Sequence, residues 1–302
     1  MRILIFLLAA SLCAFAAEKP RWQELLEKGN ALRKGGDPKG GRELYETALK
    51  EAQPYGFEAD LAVRSALAGL AVDLGLYVEA EEYLIPALPP KAPMINVARP
   101  LARIFPALLI LGLAQLGQKR YDDAVQTFKQ SLATAEKALG PQSVALVPIL
   151  NALAVAHGQL DQRKASQQIL ARAISISGIA PEDRVETLRL VGEQKLASGD
   201  PRGASRALLW ALSAAENTYG REHPLVAPAL VSLASAYEAI GSFQRAEAAL
   251  RSARLILSKA LGGGHPHVAA VDDRLARLAR SAKRPDPRAP TVDVLELRKI
   301  RK

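Results

Sequence analysis

The sequence has one cysteine, few aromatic residues and no pattern typical of strands. Cys13 is the only cysteine among the 302 residues, so no disulfide can form within the chain. Aromatic residues make up 5% of the sequence and hydrophobic residues 49%, so the core must consist mainly of Leu, Ala, Val and Ile. No segment alternates apolar and polar residues for long enough to form a sheet. These absences exclude a disulfide-stabilised domain and favour an all-α fold.

Catalytic and metal-binding motifs are also missing. There is no Gly-x-Ser-x-Gly, no phosphate-binding glycine loop and no His-Glu-x-x-His. His265 and His267 flank a proline without a Cys or acidic cluster nearby, and His223 occupies the position equivalent to His265 at a predicted helix start. His157 falls at a helix-packing position. We therefore predict structural histidines, no catalytic residue, no metal and no cofactor, and we predict that the protein is not an enzyme.

The first 16 residues resemble a secretory signal peptide. Arg2 precedes an apolar run from Ile3 to Ala10, and Ala14-Phe15-Ala16 supplies the small-x-small pattern of a cleavage site. An uncleaved anchor would need about 20 apolar residues, and a lipoprotein attached at Cys13 would normally carry a small residue where this chain has Leu12. These two alternatives stay open, but we expect cleavage and a periplasmic or extracellular protein.

Positive charge is concentrated at the C-terminal end. The net charge is +9, and residues 282–302 hold seven Lys or Arg against three Asp or Glu. The rest of the chain is only mildly basic and shows no basic stripe of the kind that binds nucleic acid. We therefore expect residues 282–302 to be a flexible basic tail, the only part of the chain suited to contact an anionic membrane, and we expect no nucleic-acid partner.

A repeated spacing organises most of the chain. A small residue is followed by another small residue at +12, a bulky apolar residue at +16 and a small residue at +19. This frame reads Gly29/Gly41/Tyr45/Ala48, Ala68/Ala80/Leu84/Ala87, Gly112/Ala124/Phe128/Ser131, Ala154/Ser166/Leu170/Ala173, Gly192/Ala204/Leu208/Ala211 and Ala234/Ala246/Leu250/Ala253, with a half-copy at Ala276. A period of about 40 residues in an Ala- and Leu-rich chain predicts stacked helix pairs.

A turn is predicted seven residues after each frame start. Four copies place glycine there, which ends a helix readily because it adopts the left-handed conformation. The third and fourth copies have Lys119 and Asp161 instead, so their turns are less clearly predicted, and the fourth copy also has Ser166 where alanine is usual. Pro106, Pro148 and Pro228 fall six residues before their frame starts, which predicts a kink or a late helix start.

This pattern resembles the tetratricopeptide repeat. The spacing and the phrase Gly-x-x-His-Pro-x-Val-Ala are most similar to the longer repeats of kinesin light chains, and the clearest copy spans Leu230–Gly262. The resemblance implies an all-α, right-handed superhelical solenoid of antiparallel helix pairs. We expect about six pairs and a C-terminal capping helix over residues 17–281, with a loop or bend in the proline-rich segment Pro86–Pro106.

The resemblance also implies a binding groove lined by the first helix of each pair. The predicted groove residues are Leu109, Leu113, Leu116, Asn151, Val155, Arg189, Glu193, Ser235 and Glu238. Asn151 is the best single candidate, since an amide can pair with a peptide backbone through both of its groups. We predict an exported scaffold that binds a protein or peptide and assembles or tethers a complex. The alternative is a cell-envelope enzyme or carbohydrate-binding protein that uses the same groove, and the sequence does not indicate the oligomeric state.

Overall fold

A computed structural model describes residues 19–88 and 98–282 of the chain. Within these ranges every regular element is a helix. The predicted signal peptide, nearly all of the predicted basic tail and residues 89–97 of the proline-rich segment lie outside them. The described chain divides into two compact units, the first ending at Arg120 and the second beginning at Tyr121.

The helices follow the predicted order of pairs. Those of the first unit are α1 (Arg21–Lys34), α2 (Pro38–Ala52), α3 (Phe57–Asp73), α4 (Tyr77–Leu84) and α5 (Ala98–Gly117). Those of the second unit are α6 (Tyr121–Leu139), α7 (Val147–Gln159), α8 (Arg163–Ser175), α9 (Pro181–Ala197), α10 (Pro201–Tyr219), α11 (Ala227–Ile240), α12 (Phe243–Leu261) and α13 (Pro266–Ala282).

The residues of the repeat frame are buried, as the spacing predicts. All frame positions of the six full copies are buried except Ala87, which is half-buried, whereas Ala276 of the half-copy is exposed on α13. A Cβ added at Gly29 would overlap the ring of Tyr45, and one added at Gly192 would overlap Cγ of Leu208. The small residues are therefore required, because they let the two helices of a pair approach closely.

The first helix of every pair ends in the same turn. A residue with positive φ stands in each turn, and the next residue donates its backbone N–H to the carbonyl five residues earlier at 2.8–2.9 Å. This bond closes a helix end on a left-handed residue. Lys119 (φ 63°) and Asp161 (φ 56°) adopt the conformation that glycine has in the other four copies. The third and fourth turns thus form without the glycine that predicted the others.

Two of the three prolines lie where a helix starts late, as one of the two predicted outcomes requires. Pro148 and Pro228 lie in the first turn of α7 and α11, each of which begins after a short 3-10 turn. Pro106 instead lies inside α5.

Each unit has its own apolar core. In the first unit, Tyr45 anchors a cluster of α1, α2 and α3, and Leu84 belongs to a second cluster shared by α3, α4 and α5. In the second unit, a continuous cluster extends from Val185 in α9 to Leu278 in α13. A separate, smaller cluster under α7, α8 and α9 contains three buried residues, Ala154, Leu170 and Leu190.

Candidate functional site

The predicted groove residues of the first unit lie on one face of α5. Leu109, Leu113 and Leu116 follow the spacing of a single helix face, and all three are half-buried. Ile104 and Leu108 on the same helix are buried in the core of the unit. The three leucines therefore form an apolar, partly accessible face.

Asn151 is buried in the second unit. Its side chain is 6% exposed, its Nδ2 donates to Oγ1 of Thr187 at 3.0 Å, and its Oδ1 lies 3.1 Å from the same hydroxyl. The amide therefore ties α7 to α9. The predicted contact of Asn151 with a peptide stays a prediction, and in this structure it would have to compete with Thr187.

A hydrogen-bonded network joins α9 to α11. Arg189 pairs with Glu186 at 2.6 Å and also with Glu193, while Ser232 donates to Oε1 of Glu193 at 2.6 Å. Burial disfavours the charge of Arg189, but the hydrogen bonds and charges of Glu186 and Glu193 outweigh it and raise the pKa of Arg189. Two predicted groove residues, Arg189 and Glu193, are therefore held in place before any ligand binds.

An equivalent network joins α11 to α13. Nη2 of Arg274 donates to Oγ of Ser235 at 2.7 Å and to Oε1 of Glu238 at 2.9 Å. Its Nη1 donates to the carbonyl of Val231 at 3.2 Å. Ser235 and Glu238 are half-buried, so they also form part of a preorganised face. Sequence reasoning missed Arg274, which lies on α13, 36 residues after Glu238.

A cleft lies where α7, α8 and α9 meet. It has a volume of about 340 Å³. Two of its lining residues, Val155 and Glu193, belong to the predicted groove. The cleft is lined by Ala154, Val155, Gly158, Gln159, Asp161, Arg163, Ser166, Leu170, Leu190, Glu193, Gln194 and Ala197.

Most of the polar side chains that line this cleft are already bonded to other groups of the protein. Arg163 donates to Asp161 at 2.7 Å and to the carbonyl of Ala197 at 2.6 Å. Oγ of Ser166 donates to the carbonyl of Ala154 at 2.9 Å. Sequence reasoning left Asp161 and Ser166 out of the site. Their signal was that the fourth copy departs there from the repeat frame.

The histidines have structural partners. Nδ1 of His223 accepts the backbone N–H of Leu225 at 3.3 Å, and Nδ1 of His265 accepts that of His267 at 3.2 Å. Ser143 accepts the N–H of Ala145 in the same way at 3.3 Å. These side chains cap helix starts. Across the described residues, no three His, Cys, Asp or Glu side chains are grouped so that they could hold a metal ion.

Two family models match this arrangement of helix pairs, and both describe tetratricopeptide repeats. One matches residues 103–177, and the other matches residues 26–93 and 192–264. The chain belongs to the tetratricopeptide repeat family. Tetratricopeptide repeats generally bind protein partners and are generally non-catalytic scaffolds. A comparison with curated protein sequences returns no match.

Solved structures support the same fold. A kinesin light chain of Podosopora anserina with nearly identical TPR-like repeats shares 22% identity over 68% of this chain and 98% of its own length, with a TM-score of 0.55. RapI in its apo form shares 13% identity over 87% of this chain and 72% of its own, with a TM-score of 0.60. BtubC of P. vanneervenii shares 16% identity over 91% and 98%, with a TM-score of 0.53. These likenesses show an all-α helical-repeat solenoid with repeats like those of kinesin light chains.

None of the described helices is both long and apolar enough to cross a bilayer.

Proposed function

We propose that this chain is exported and acts as a scaffold that binds a protein or peptide on the face of its first helices. Through this contact it would assemble or tether a complex. The family supports binding of a protein partner, and the N-terminal sequence supports export.

The observation that carries the proposal is the preorganised face of α9 and α11. Glu193, Ser235 and Glu238 are half-buried and bonded between repeats, so they lose little conformational freedom when a partner binds. A face of this kind suits recognition of an extended or helical segment, because apolar anchors supply affinity and fixed polar groups supply orientation. Peptide binding of this kind does not need the pair of precisely spaced carboxyl groups that most glycosidases use.

Affinity capture tests the binding function. The chain without residues 1–16 is tagged and incubated with an extract of the cell envelope, and captured proteins are identified and then purified. Calorimetry with the purified partner should show that Glu193→Ala, on the face of α9 and α11, weakens binding about tenfold or more, and that Leu113→Glu on α5 weakens it as well. Lys129→Glu, an exposed change on the second helix α6, should leave affinity within about twofold.

Two results would contradict the proposal. If Lys129→Glu alone reduced affinity, the partner would use the second helices. If the intact mass of the protein from its native cell still included Met1, export with cleavage near Ala16 would be wrong. Circular dichroism of each variant should match the wild type, so that a folding defect is not read as a binding defect.

A further inference from the structure

The cleft between α7, α8 and α9 is lined by Gly158, a residue without a side chain at a repeated position of the helix pair. Gly158 lies four residues after its frame start, and a Cβ added there would meet no atom within 4 Å. Each of the other five full copies has a side chain at this position. The equivalent residues are Arg33, Val72, Leu116, Leu196 and Glu238.

In four of the other five copies this side chain contacts neighbouring parts of the stack. Leu196 packs against the large core cluster of the second unit, and Val72 packs against the core of α3, α4 and α5. Arg33 donates to the carbonyl of Gly69 at 3.0 Å, and Glu238 accepts from Arg274. Gly158 has no side chain that could make such a contact, and it lines the cleft of about 340 Å³.

Three departures from the repeat frame converge on this one cleft. Gly158 removes a side chain, Asp161 replaces the turn glycine and Ser166 replaces the usual alanine, and all three line the cleft. The volume also lies at the lower end of the range of ligand pockets, about 300–1,000 Å³.

The residues that line the cleft indicate which kind of ligand side chain could bind there. Ala154, Leu170 and Leu190 form an apolar floor. The charges at the rim are already paired inside the protein, Arg163 with Asp161 and Glu193 with Arg189, so a charged side chain would be desolvated without a new partner. The equivalent position holds an aliphatic residue in three of the other copies, namely Val72, Leu116 and Leu196.

We infer that the cleft at Gly158 is a pocket for one leucine-like side chain of a bound peptide. The inference rests on the proposed function, since Val155 and Glu193 belong both to the predicted groove and to the pocket. The peptide would insert an aliphatic anchor over Leu170 and Leu190, and its backbone would pass the amide of Gln159 at the rim. The pocket thus replaces an intramolecular contact of the other repeats with an intermolecular one.

Gly158→Leu is the decisive variant, because it restores the side chain that the other copies have. It should fill the pocket without loss of folding, since the position is helical and its surroundings are open. Gln167→Leu is the matched control, because it adds the same side chain at an exposed position of α8 outside the pocket.

The first probe is N-acetyl-leucinamide, titrated into the 15N-labelled chain and followed by amide chemical shifts. We expect saturable shifts at Gly158 and its neighbours, at least fivefold weaker binding of N-acetyl-alaninamide, and loss of the shifts in Gly158→Leu but not in Gln167→Leu. Scattered shifts, or equal shifts in Gly158→Leu, would overturn the inference.

The second probe is a displayed library of random heptapeptides selected against the wild-type chain. Selected peptides should share a Leu, Ile or Met and should bind Gly158→Leu at least tenfold more weakly than Gln167→Leu. Peptides that bind Gly158→Leu as tightly as the wild type would refute the pocket and leave the scaffold function standing. Enrichment of no peptide, together with leucinamide binding at Gly158, would support the pocket and count against the scaffold function.

Discussion

The fourth and fifth helix pairs share one repeat frame but differ in how completely they are packed. In the fifth pair, α9 and α10, Ala204 and Leu208 belong to a cluster that continues through α11, α12 and α13. In the fourth pair, α7 and α8, Leu170 belongs to a cluster of only three buried residues. The helices of the fourth pair are also shorter, with 13 residues each against 17 and 19.

The turn and the start of the second helix are also more favourable in the fifth pair than in the fourth. The fifth pair has glycine in its turn and Asp200 as a cap that accepts the N–H of Gly203 at 2.8 Å. The fourth pair has Asp161 in the left-handed conformation, and Gln162 provides no side-chain cap. The frame therefore determines that a helix pair forms, whereas the departures from the frame in the fourth pair coincide with looser packing and a cleft.

The largest difference should appear when the central leucine of each pair is truncated. Leu208→Ala should lower the free energy of unfolding by about 3–5 kcal/mol, because it leaves a cavity in a closed core. Leu170→Ala should cost only about 2–3 kcal/mol, since Leu170 already lines the cleft. Native-state hydrogen exchange of the amides in α8 and α10 measures both losses locally. An equal or larger loss for Leu170→Ala would contradict the looser packing of the fourth pair.

Substitution by alanine should change the free energy of unfolding in opposite directions at two helical glycines. Gly192→Ala should destabilise by about 1–3 kcal/mol, because its Cβ would overlap Leu208, which is fully buried. Gly158→Ala should stabilise by about 0.5–1 kcal/mol, since its Cβ enters open space and alanine is the better helix former. Urea unfolding of both variants tests this. The same sign for both would mean that Gly158 is as tightly enclosed as Gly192.

Exchanging the turn residues of the fourth and fifth pairs should change the stabilities of the two pairs in opposite directions. Asp161→Gly should stabilise the fourth pair by about 0.5–1 kcal/mol, because glycine adopts positive φ without steric cost. The ion pair of Asp161 with Arg163 is largely exposed, with side-chain exposures of 78% and 52%, so its loss should matter little. Gly199→Asp should destabilise the fifth pair by a similar amount. Thermal unfolding of the two single variants and the double variant measures this, and the double variant should lie close to the wild type.

Much of the fold could be predicted from the sequence, because its requirements are local and repeated. Gly192 must be small because Leu208 of the same helix pair lies against it, and Gly199 forms the left-handed turn between the two helices of that pair. Both features depend only on residues within one helix pair. The late starts of α7 and α11 likewise follow from Pro148 and Pro228. These features need no knowledge of what lies beyond the pair.

The candidate site was harder to predict, because it depends on residues one repeat away. Whether the amide of Asn151 faces a ligand or a neighbouring helix depends on Thr187, which is 36 residues later. The sequence likewise shows that Gly158 lacks a side chain, but not whether the neighbouring helices close the gap. The groove as a whole therefore stays a prediction, while its individual contacts within the second unit are now defined.

The smallest effect should come from the aspartate cap that the fifth pair has and the fourth pair lacks. The N–H of Gly203 lowers the pKa of Asp200 below its ordinary value of 3.8, and the charge of Lys195 contributes to the same shift. Because the folded-state pKa is lower, the carboxylate stabilises the fold fully above the unfolded-state pKa, and this stabilisation is lost as pH falls through the folded-state pKa. Asp200→Asn keeps a capping oxygen but does not titrate. Wild type should therefore melt slightly higher than Asp200→Asn above about pH 5, and the difference should shrink below pH 3.8.

Gly203→Ala should weaken the cap at every pH, since its Cβ would overlap the carboxylate. A difference between wild type and Asp200→Asn that stays constant down to pH values well below 3.8 would show that the cap does not shift the titration of Asp200.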